Sequence, residues 1–133
     1  MEESLRRYVR SRAGDRCEYC RLRQEHETLT PFHVEHVIAA QHGGTDDDDN
    51  LALACAWCNL IKGPNIASLD PATGSLTRLF HPRRDQWEDH FRRDGPHIAG
   101  RTEVGRATVH LLRMNDADAV DQRSLLLQLG ELD

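Results

Sequence analysis

Aromatic residues and long apolar runs are scarce in this chain of 133 residues. Phe, Trp and Tyr make up 5% of the sequence, so the core must be built mainly from Leu, Val and Ala. The longest apolar run, Leu51 to Cys58, is far short of the roughly 20 residues that span a bilayer. The charged first 16 residues contain no apolar segment typical of a secretory signal. We therefore expect a cytoplasmic protein with no membrane partner and no small-molecule cofactor.

Lysine is almost absent, and the net charge is not positive. Only Lys62 among the 17 basic residues is a lysine, and the formal net charge is −5. This charge by itself argues against a nucleic-acid partner. Residues 76–113, however, are rich in arginine, which suits bidentate phosphate contacts. A local basic face and a solvated surface of mixed charge are both compatible with this pattern.

The four cysteines form two Cys-x2-Cys pairs, Cys17/Cys20 and Cys55/Cys58. In a reducing compartment this spacing predicts one tetrahedral Zn²⁺ site rather than disulfides. Four thiolates leave no open coordination position, so the zinc would be structural. The alternative is two unrelated pairs of free or redox-active cysteines. A chain of this length has only a modest core, which a structural metal commonly supports.

A second group of polar residues lies between His33 and Gly63. It combines the pair Glu35-His36 with Asn50 and Asn59. Carboxylate and amide oxygens suit Mg²⁺ or Mn²⁺, and an imidazole can take a proton from water near neutral pH. A metal ion beside such a base is what phosphodiester hydrolysis requires.

The residue pattern predicts an α+β fold in one domain, 1–133. Its core, 15–64, should contain a strand within Leu29–His36, a long loop, a strand over Asn50–Ala54 and a helix over Ala56–Lys62. An N-terminal helix is expected over Ser4–Ala13. The C-terminal extension, 76–133, should contain a strand at 76–80, a hairpin of Trp87–Arg93 with His97–Thr102, and helices over Glu103–Met114 and Ala117–Leu132.

The segment from Cys17 to Gly63 resembles the HNH endonucleases, in the zinc-knuckle branch of the ββα-metal nuclease superfamily. The resemblance implies two short antiparallel strands, a long loop and a helix, clipped by a zinc site of four cysteines. A weaker similarity covers the C-terminal extension. The elements that carry the main resemblance are Cys17/Cys20, Glu35-His36-Val37, Gly43-Gly44, Asn50-Leu51, Cys55/Cys58-Asn59 and Lys62-Gly63.

The resemblance implies a metal-dependent DNA endonuclease with His36 as general base. Glu35 and Asn59 would bind one catalytic Mg²⁺ or Mn²⁺ ion, and Asn50 would pin the loop and so orient His36. Asparagine replaces the frequent histidine at the third signature position, and Glu35 replaces a common aspartate. The extra methylene of Glu35 would move the ion.

Strand geometry constrains this set. Adjacent residues of a regular strand face opposite sides, so Glu35 and His36 reach one site only if the strand ends or bends between them. His33 shares a face with Glu35 and is a possible further metal ligand or phosphate contact; a partner-bonded surface histidine is the alternative. For His36 the alternative is a core histidine whose hydrogen bonds are satisfied.

The candidate DNA contacts are basic residues, namely Lys62, Arg83, Arg84, Arg92 and Arg93. A solvated surface is the alternative for these residues. The acidic run Asp46–Asp49 is expected to form an exposed loop that repels DNA locally; the alternative is that it attracts a stray cation.

A second class of function, a non-catalytic zinc-stabilised module that binds nucleic acid or protein, would keep the same fold. The intact base and ligand set favours the enzyme.

Overall fold

The structure, a computed structural model, describes all residues from 1 to 133 and confirms the α+β class. The chain divides into two compact units. Unit 1 comprises Met1–Ile66 and His81–Asp85, and unit 2 comprises Ala67–Phe80 and Gln86–Asp133. The expectation of a single domain stays a prediction. None of the helices combines the length and apolar character needed to cross a membrane.

Unit 1 contains the ββα core. Its elements are α1 (Glu3–Arg12), β1 (His33–His36), β2 (Leu51–Ala54) and α2 (Ala56–Lys62). Strands β1 and β2 are antiparallel, and all four residues of β2 are buried, which explains its uninterrupted apolar sequence. Gly63, at a positive φ of 50°, ends α2.

Helix α1 is tied to the strands by arginine side chains. Arg10 donates a hydrogen bond to the Phe32 carbonyl at 2.7 Å, and Arg12 donates to the Leu51 carbonyl at 2.8 Å. Val9, on the same helix, is fully buried. The helix starts one residue before Ser4, which therefore does not cap it. Two of the arginines in α1 thus fix the core.

Unit 2 consists of two hairpins and three helices. Strand β3 (Ala67–Leu69) was not predicted from the sequence; it pairs with β4 (Leu76–Arg78) across a turn that the Asp70 carboxylate stabilises by accepting from the Ala72 N–H at 2.9 Å. The predicted strand from Trp87 begins instead as one helical turn, which places Trp87 against Phe91. The elements are β3 (Ala67–Leu69), β4 (Leu76–Arg78), α3 (Trp87–His90), β5 (Phe91–Asp94), β6 (His97–Gly100), α4 (Glu103–Leu111) and α5 (Ala117–Gln128).

Unit 2 contains an ion pair with a buried carboxylate and a close backbone contact. Two nitrogens of Arg106 donate to the two oxygens of Asp70, at 3.0 and 2.8 Å. Thr102 caps α4, as predicted, by accepting from the Gly105 N–H at 3.0 Å. A Cβ on Gly105 would lie 1.9 Å from the His90 carbonyl oxygen, so this position requires glycine.

Candidate functional site

The four cysteines lie together in unit 1. Their sulfur atoms are within 4.8 Å of one another, and the Sγ atoms of Cys20 and Cys55 are 3.8 Å apart. This separation excludes a disulfide, whose S–S bond is about 2.05 Å. Two sulfurs bound to one tetrahedral Zn²⁺ at about 2.3 Å would lie about 3.8 Å apart. The cluster therefore fits a structural zinc ion held by all four thiolates.

Local backbone structure presents these sulfurs. Cys55 is the N-cap of α2, and its Sγ accepts from the N–H of Cys58 in the first helical turn at 3.4 Å. Hydrogen bonds with the other thiols, first Cys17, and burial raise the pKa of the Cys58 thiol well above its usual value. Four crowded thiols resist deprotonation unless a cation balances the charge, which the zinc would do.

Asn50 holds the long loop of unit 1 through hydrogen bonds of its side chain. Its Oδ1 accepts from the Ile38 N–H at 2.9 Å, while its Nδ2 donates to the carbonyls of Ile38 and Thr45, at 2.9 and 2.8 Å. Gly44 lies beside this network, where a Cβ would be 1.7 Å from the Ile38 carbonyl oxygen. The Gly-Gly and Asn elements of the sequence therefore form one loop anchor.

His36 ends β1 beside this loop and is not a core histidine. Its side chain is 36% exposed, and its Nε2 is 2.7 Å from the Oδ1 of Asp46. The Nδ1 atom makes no hydrogen bond within the protein. From the sequence, Asp46 was expected only as part of a DNA-repelling run, and this contact was missed. Its sole sequence signal is the position two residues after the Gly43-Gly44 turn.

Residues 17–65 match the model of the HNH endonuclease family. The resemblance seen in the sequence is thereby confirmed for this segment, which also carries the cysteine cluster. Comparison of the chain with curated proteins and with solved structures found no match. The HNH segment lies within unit 1 and contains β1, the long loop, β2 and α2.

Glu35, the acid of the HNH motif, lies in a buried network. Its carboxylate is hydrogen bonded to the hydroxyl of Tyr19 and to the Nζ of Lys62, the latter at 3.2 Å, and the residue is 6% exposed. Burial raises the pKa of Glu35, although Lys62 and Tyr19 oppose this rise. Burial and Glu35 in turn raise the pKa of Tyr19 well above its usual value. Tyr19 had no recognisable signal in the sequence beyond lying within the first Cys-x2-Cys pair.

Lys62 is thus directed into the HNH segment and away from solvent. Besides Glu35, its ammonium donates to the carbonyls of His36 and Val37, at 3.4 and 2.9 Å. The side chain is 2% exposed, so it is not presented to DNA as the sequence suggested. Its contacts instead join the end of α2 to the end of β1.

Two other predicted site residues, Asn59 and His33, make no side-chain hydrogen bond with Glu35 or His36. Asn59 lies on α2, half-buried, and its side chain has no hydrogen-bond partner within the protein. His33 is exposed at the start of β1, also without a side-chain partner, so it does not join Glu35 in the buried network. The structure therefore joins Glu35 to Lys62 and His36 to Asp46, and leaves Asn59 and His33 outside both pairs.

The four candidate arginines also differ. Arg83 forms an ion pair with Glu18 in unit 1 and is only 13% exposed; burial, and next the nearby Arg12, lower the pKa of its guanidinium to about 10. The Arg83 guanidinium is thus already paired within the protein. Arg84 and Arg92 are exposed, whereas Arg93 is half-buried. Only the exposed two are presented to solvent as DNA contacts require.

Proposed function

We propose that the protein is an endonuclease that hydrolyses phosphodiester bonds in DNA, with His36 as the general base. The observation that carries the proposal is the placement of His36 within an HNH segment. Its imidazole is partly exposed, one ring nitrogen is hydrogen bonded and the other is not. A neutral imidazole held in this way has one nitrogen free to accept a proton.

In this proposal, the free nitrogen of His36 takes a proton from a water molecule as the water oxygen attacks the phosphorus. The bond from phosphorus to the 3′ oxygen breaks, and the leaving oxygen takes a proton from solvent, which by family resemblance leaves a 5′ phosphate and a 3′ hydroxyl. His36 then releases its proton to solvent. Asn50 contributes indirectly by holding the loop beside His36. A divalent ion, when bound, would neutralise charge that develops on the phosphate and on the leaving oxygen.

The ion's implied ligands, Glu35 and Asn59, do not fit an Mg²⁺ or Mn²⁺ site as they are arranged. Asn59 offers a free amide, but the carboxylate of Glu35 is buried and already paired with the Lys62 ammonium. A second cation beside Lys62 would be repelled at short range in a poorly solvated site. Dependence on Mg²⁺ or Mn²⁺ is therefore proposed from the resemblance alone.

Plasmid nicking by a His36→Ala variant tests the proposal. We expect wild-type protein loaded with zinc to nick supercoiled DNA in Mg²⁺ or Mn²⁺, and His36→Ala to lose about 10²–10⁴-fold of the rate, as expected for removal of a general base. Zinc content and circular dichroism check that the variant folds. His42→Ala, an exposed histidine in the same loop, is the matched control and should nick normally. Equal nicking by wild type and His36→Ala would refute the assignment.

One observation favours a second function, a zinc-stabilised module that binds nucleic acid without cutting it. The Tyr19–Glu35–Lys62 network engages the acid of the HNH motif. Gel-shift and nicking assays on supercoiled, linear and single-stranded DNA, across divalent metals, separate the two functions. Binding without cleavage under every condition would establish the module and exclude the nuclease.

A further inference from the structure

The acidic run Asp46–Asp49 does not behave as four equivalent surface charges. Asp47 accepts a hydrogen bond from the Thr45 hydroxyl at 3.1 Å, and Asp48 and Asp49 are exposed with no side-chain bond to His36. Asp46 alone reaches the imidazole, at 2.7 Å. This distance is that of a charge-assisted hydrogen bond between a ring N–H and a carboxylate.

The backbone that carries Asp46 is anchored on both sides. Asn50 Nδ2 donates to the carbonyl of Thr45 at 2.8 Å, immediately before Asp46. The Thr45 hydroxyl in turn accepts from the Asp47 N–H at 3.3 Å, immediately after it. The same Asn50 side chain binds the backbone of Ile38, two residues after His36. Asn50 therefore fixes both the loop that carries Asp46 and the backbone that follows His36.

An ionised carboxylate can only accept hydrogen bonds, so the imidazole nitrogen that faces it must carry the proton. In a neutral imidazole the proton then resides on Nε2, and Nδ1 is the bare, basic nitrogen. We propose that Asp46 is a positioning residue that holds His36 in this tautomer and orientation, with Nδ1 turned to the attacking water. The catalytic part of this inference rests on the proposed function; the tautomer itself does not.

The expected effect of losing Asp46 on the cleavage rate follows from the solvent exposure of the Asp46–His36 pair. The Asp46 side chain is 89% exposed, so water competes for both partners and the contact is weaker than in a buried dyad. We expect loss of Asp46 to lower kcat about tenfold, less than the loss of a general base itself, and to change KM for DNA only as much as Asp49→Ala does, since both remove one negative charge. Removal of a negative charge alone would improve DNA binding and lower KM.

The direct test is ¹⁵N NMR of the histidine side chains in zinc-loaded protein, at a pH where the imidazole is neutral. His36→Ala identifies the His36 signals. We expect the Nε2–H tautomer in wild type, a mixture of both tautomers in Asp46→Ala, and restoration in Asp46→Glu, which keeps a carboxylate acceptor. Asp49→Ala removes the same charge from the same run and should resemble wild type. An unchanged tautomer ratio in Asp46→Ala would overturn the inference.

Nicking kinetics of the same proteins separate the tautomer from its catalytic role. Reduced kcat in Asp46→Ala, partial recovery in Asp46→Glu and normal kcat in Asp49→Ala would support the catalytic role. Wild-type kcat in Asp46→Ala would overturn it. If the wild-type protein does not cleave DNA under any metal, the proposed function fails, whereas the NMR comparison still decides whether Asp46 sets the tautomer of His36.

Discussion

Each compact unit contains an ion pair whose carboxylate is buried, and the pKa values of the two carboxylates shift in opposite directions. In unit 1, burial raises the pKa of Glu35 even though the Lys62 ammonium is 3.2 Å away. In unit 2, hydrogen bonds from Arg106 lower the pKa of Asp70 from 3.8 to about 2. Both carboxylates are nearly or fully inaccessible to solvent, but burial is the largest influence on the pKa of Glu35, whereas hydrogen bonds from Arg106 are the largest influence on the pKa of Asp70.

The number of donors directed at each carboxylate determines how far hydrogen bonding offsets the effect of burial on its pKa. Asp70 receives two guanidinium nitrogens, the Ala72 N–H and the Thr73 hydroxyl. Glu35 receives a tyrosine hydroxyl and one ammonium, and that ammonium is shared with two backbone carbonyls. A fork of N–H groups stabilises an anion better than a single shared donor. Substitutions of Glu35 and Asp70 test this difference directly, and two further experiments test the zinc site and a surface arginine.

Removal of the zinc should have the largest effect. Cys55→Ser, or a strong chelator, leaves the crowded thiols without their cation, and we expect unit 1 to unfold. Structural zinc contributes about 10–16 kcal/mol in isolated zinc-finger peptides, more than a small domain's whole stability. Hydrogen exchange by mass spectrometry should show lost protection over residues 17–65, and zinc readdition should restore it after chelation. Unchanged exchange and unchanged metal content would contradict the zinc assignment.

Glu35→Gln should have the second-largest effect on stability, because it leaves the Lys62 ammonium buried without its anion. Breaking a buried pair in this way costs about 3–5 kcal/mol. Adding Lys62→Met should recover most of the loss, since the charge is then gone as well. Thermal unfolding of the single and double variants measures both effects. A Glu35→Gln protein with normal stability but no metal-dependent cleavage would instead favour the ligand role.

Asp70→Asn should produce a smaller, pH-dependent loss in unit 2. Because folding depresses the pKa of Asp70 from 3.8 to about 2, its ionised form favours the folded state. The contribution is complete above about pH 4 and disappears as the pH falls towards about 2. At pH 7 the variant should unfold at a lower temperature, and towards pH 2 the two proteins should converge. Parallel curves over the whole range would rule out this linkage.

Arg84→Ala should have the smallest effect, because in the proposed function this exposed arginine supplies one phosphate contact. We expect DNA affinity to fall only a few-fold, and the slope of log Kd against log salt to decrease by about 1. Arg83→Ala is the neighbouring comparison: it leaves Glu18 without its ion pair and should lower thermal stability instead. If Arg83→Ala weakened DNA binding and left stability intact, the roles of the two arginines would be reversed.

The sequence predicted those features whose chemistry depends on spacing. Two Cys-x2-Cys pairs specify one tetrahedral site, and the Asp94-Gly95 turn predicted the hairpin around it. Thr102 was recognisable as a cap because its hydroxyl precedes a helical segment. In each case the deciding interaction lies within a few residues or follows a fixed ligand geometry.

The pairing of charged side chains across the fold could not be predicted in this way. Lys62 and Arg83 were assigned to DNA because both are basic, yet their partners lie 27 and 65 positions away in the chain. Asp46 reaches His36 only because the Asn50 network folds the loop back. Pattern and propensity carry no information on such contacts, which depend on the packed backbone.

The burial of the chain's single lysine has a practical consequence. Within these 133 residues, amine-reactive reagents would find no lysine on the native surface, because the ε-amine of Lys62 is shielded by Glu35 and by two carbonyls. Modification of Lys62 would therefore report the opening of the β1–α2 contact, which makes this amine a probe of local unfolding.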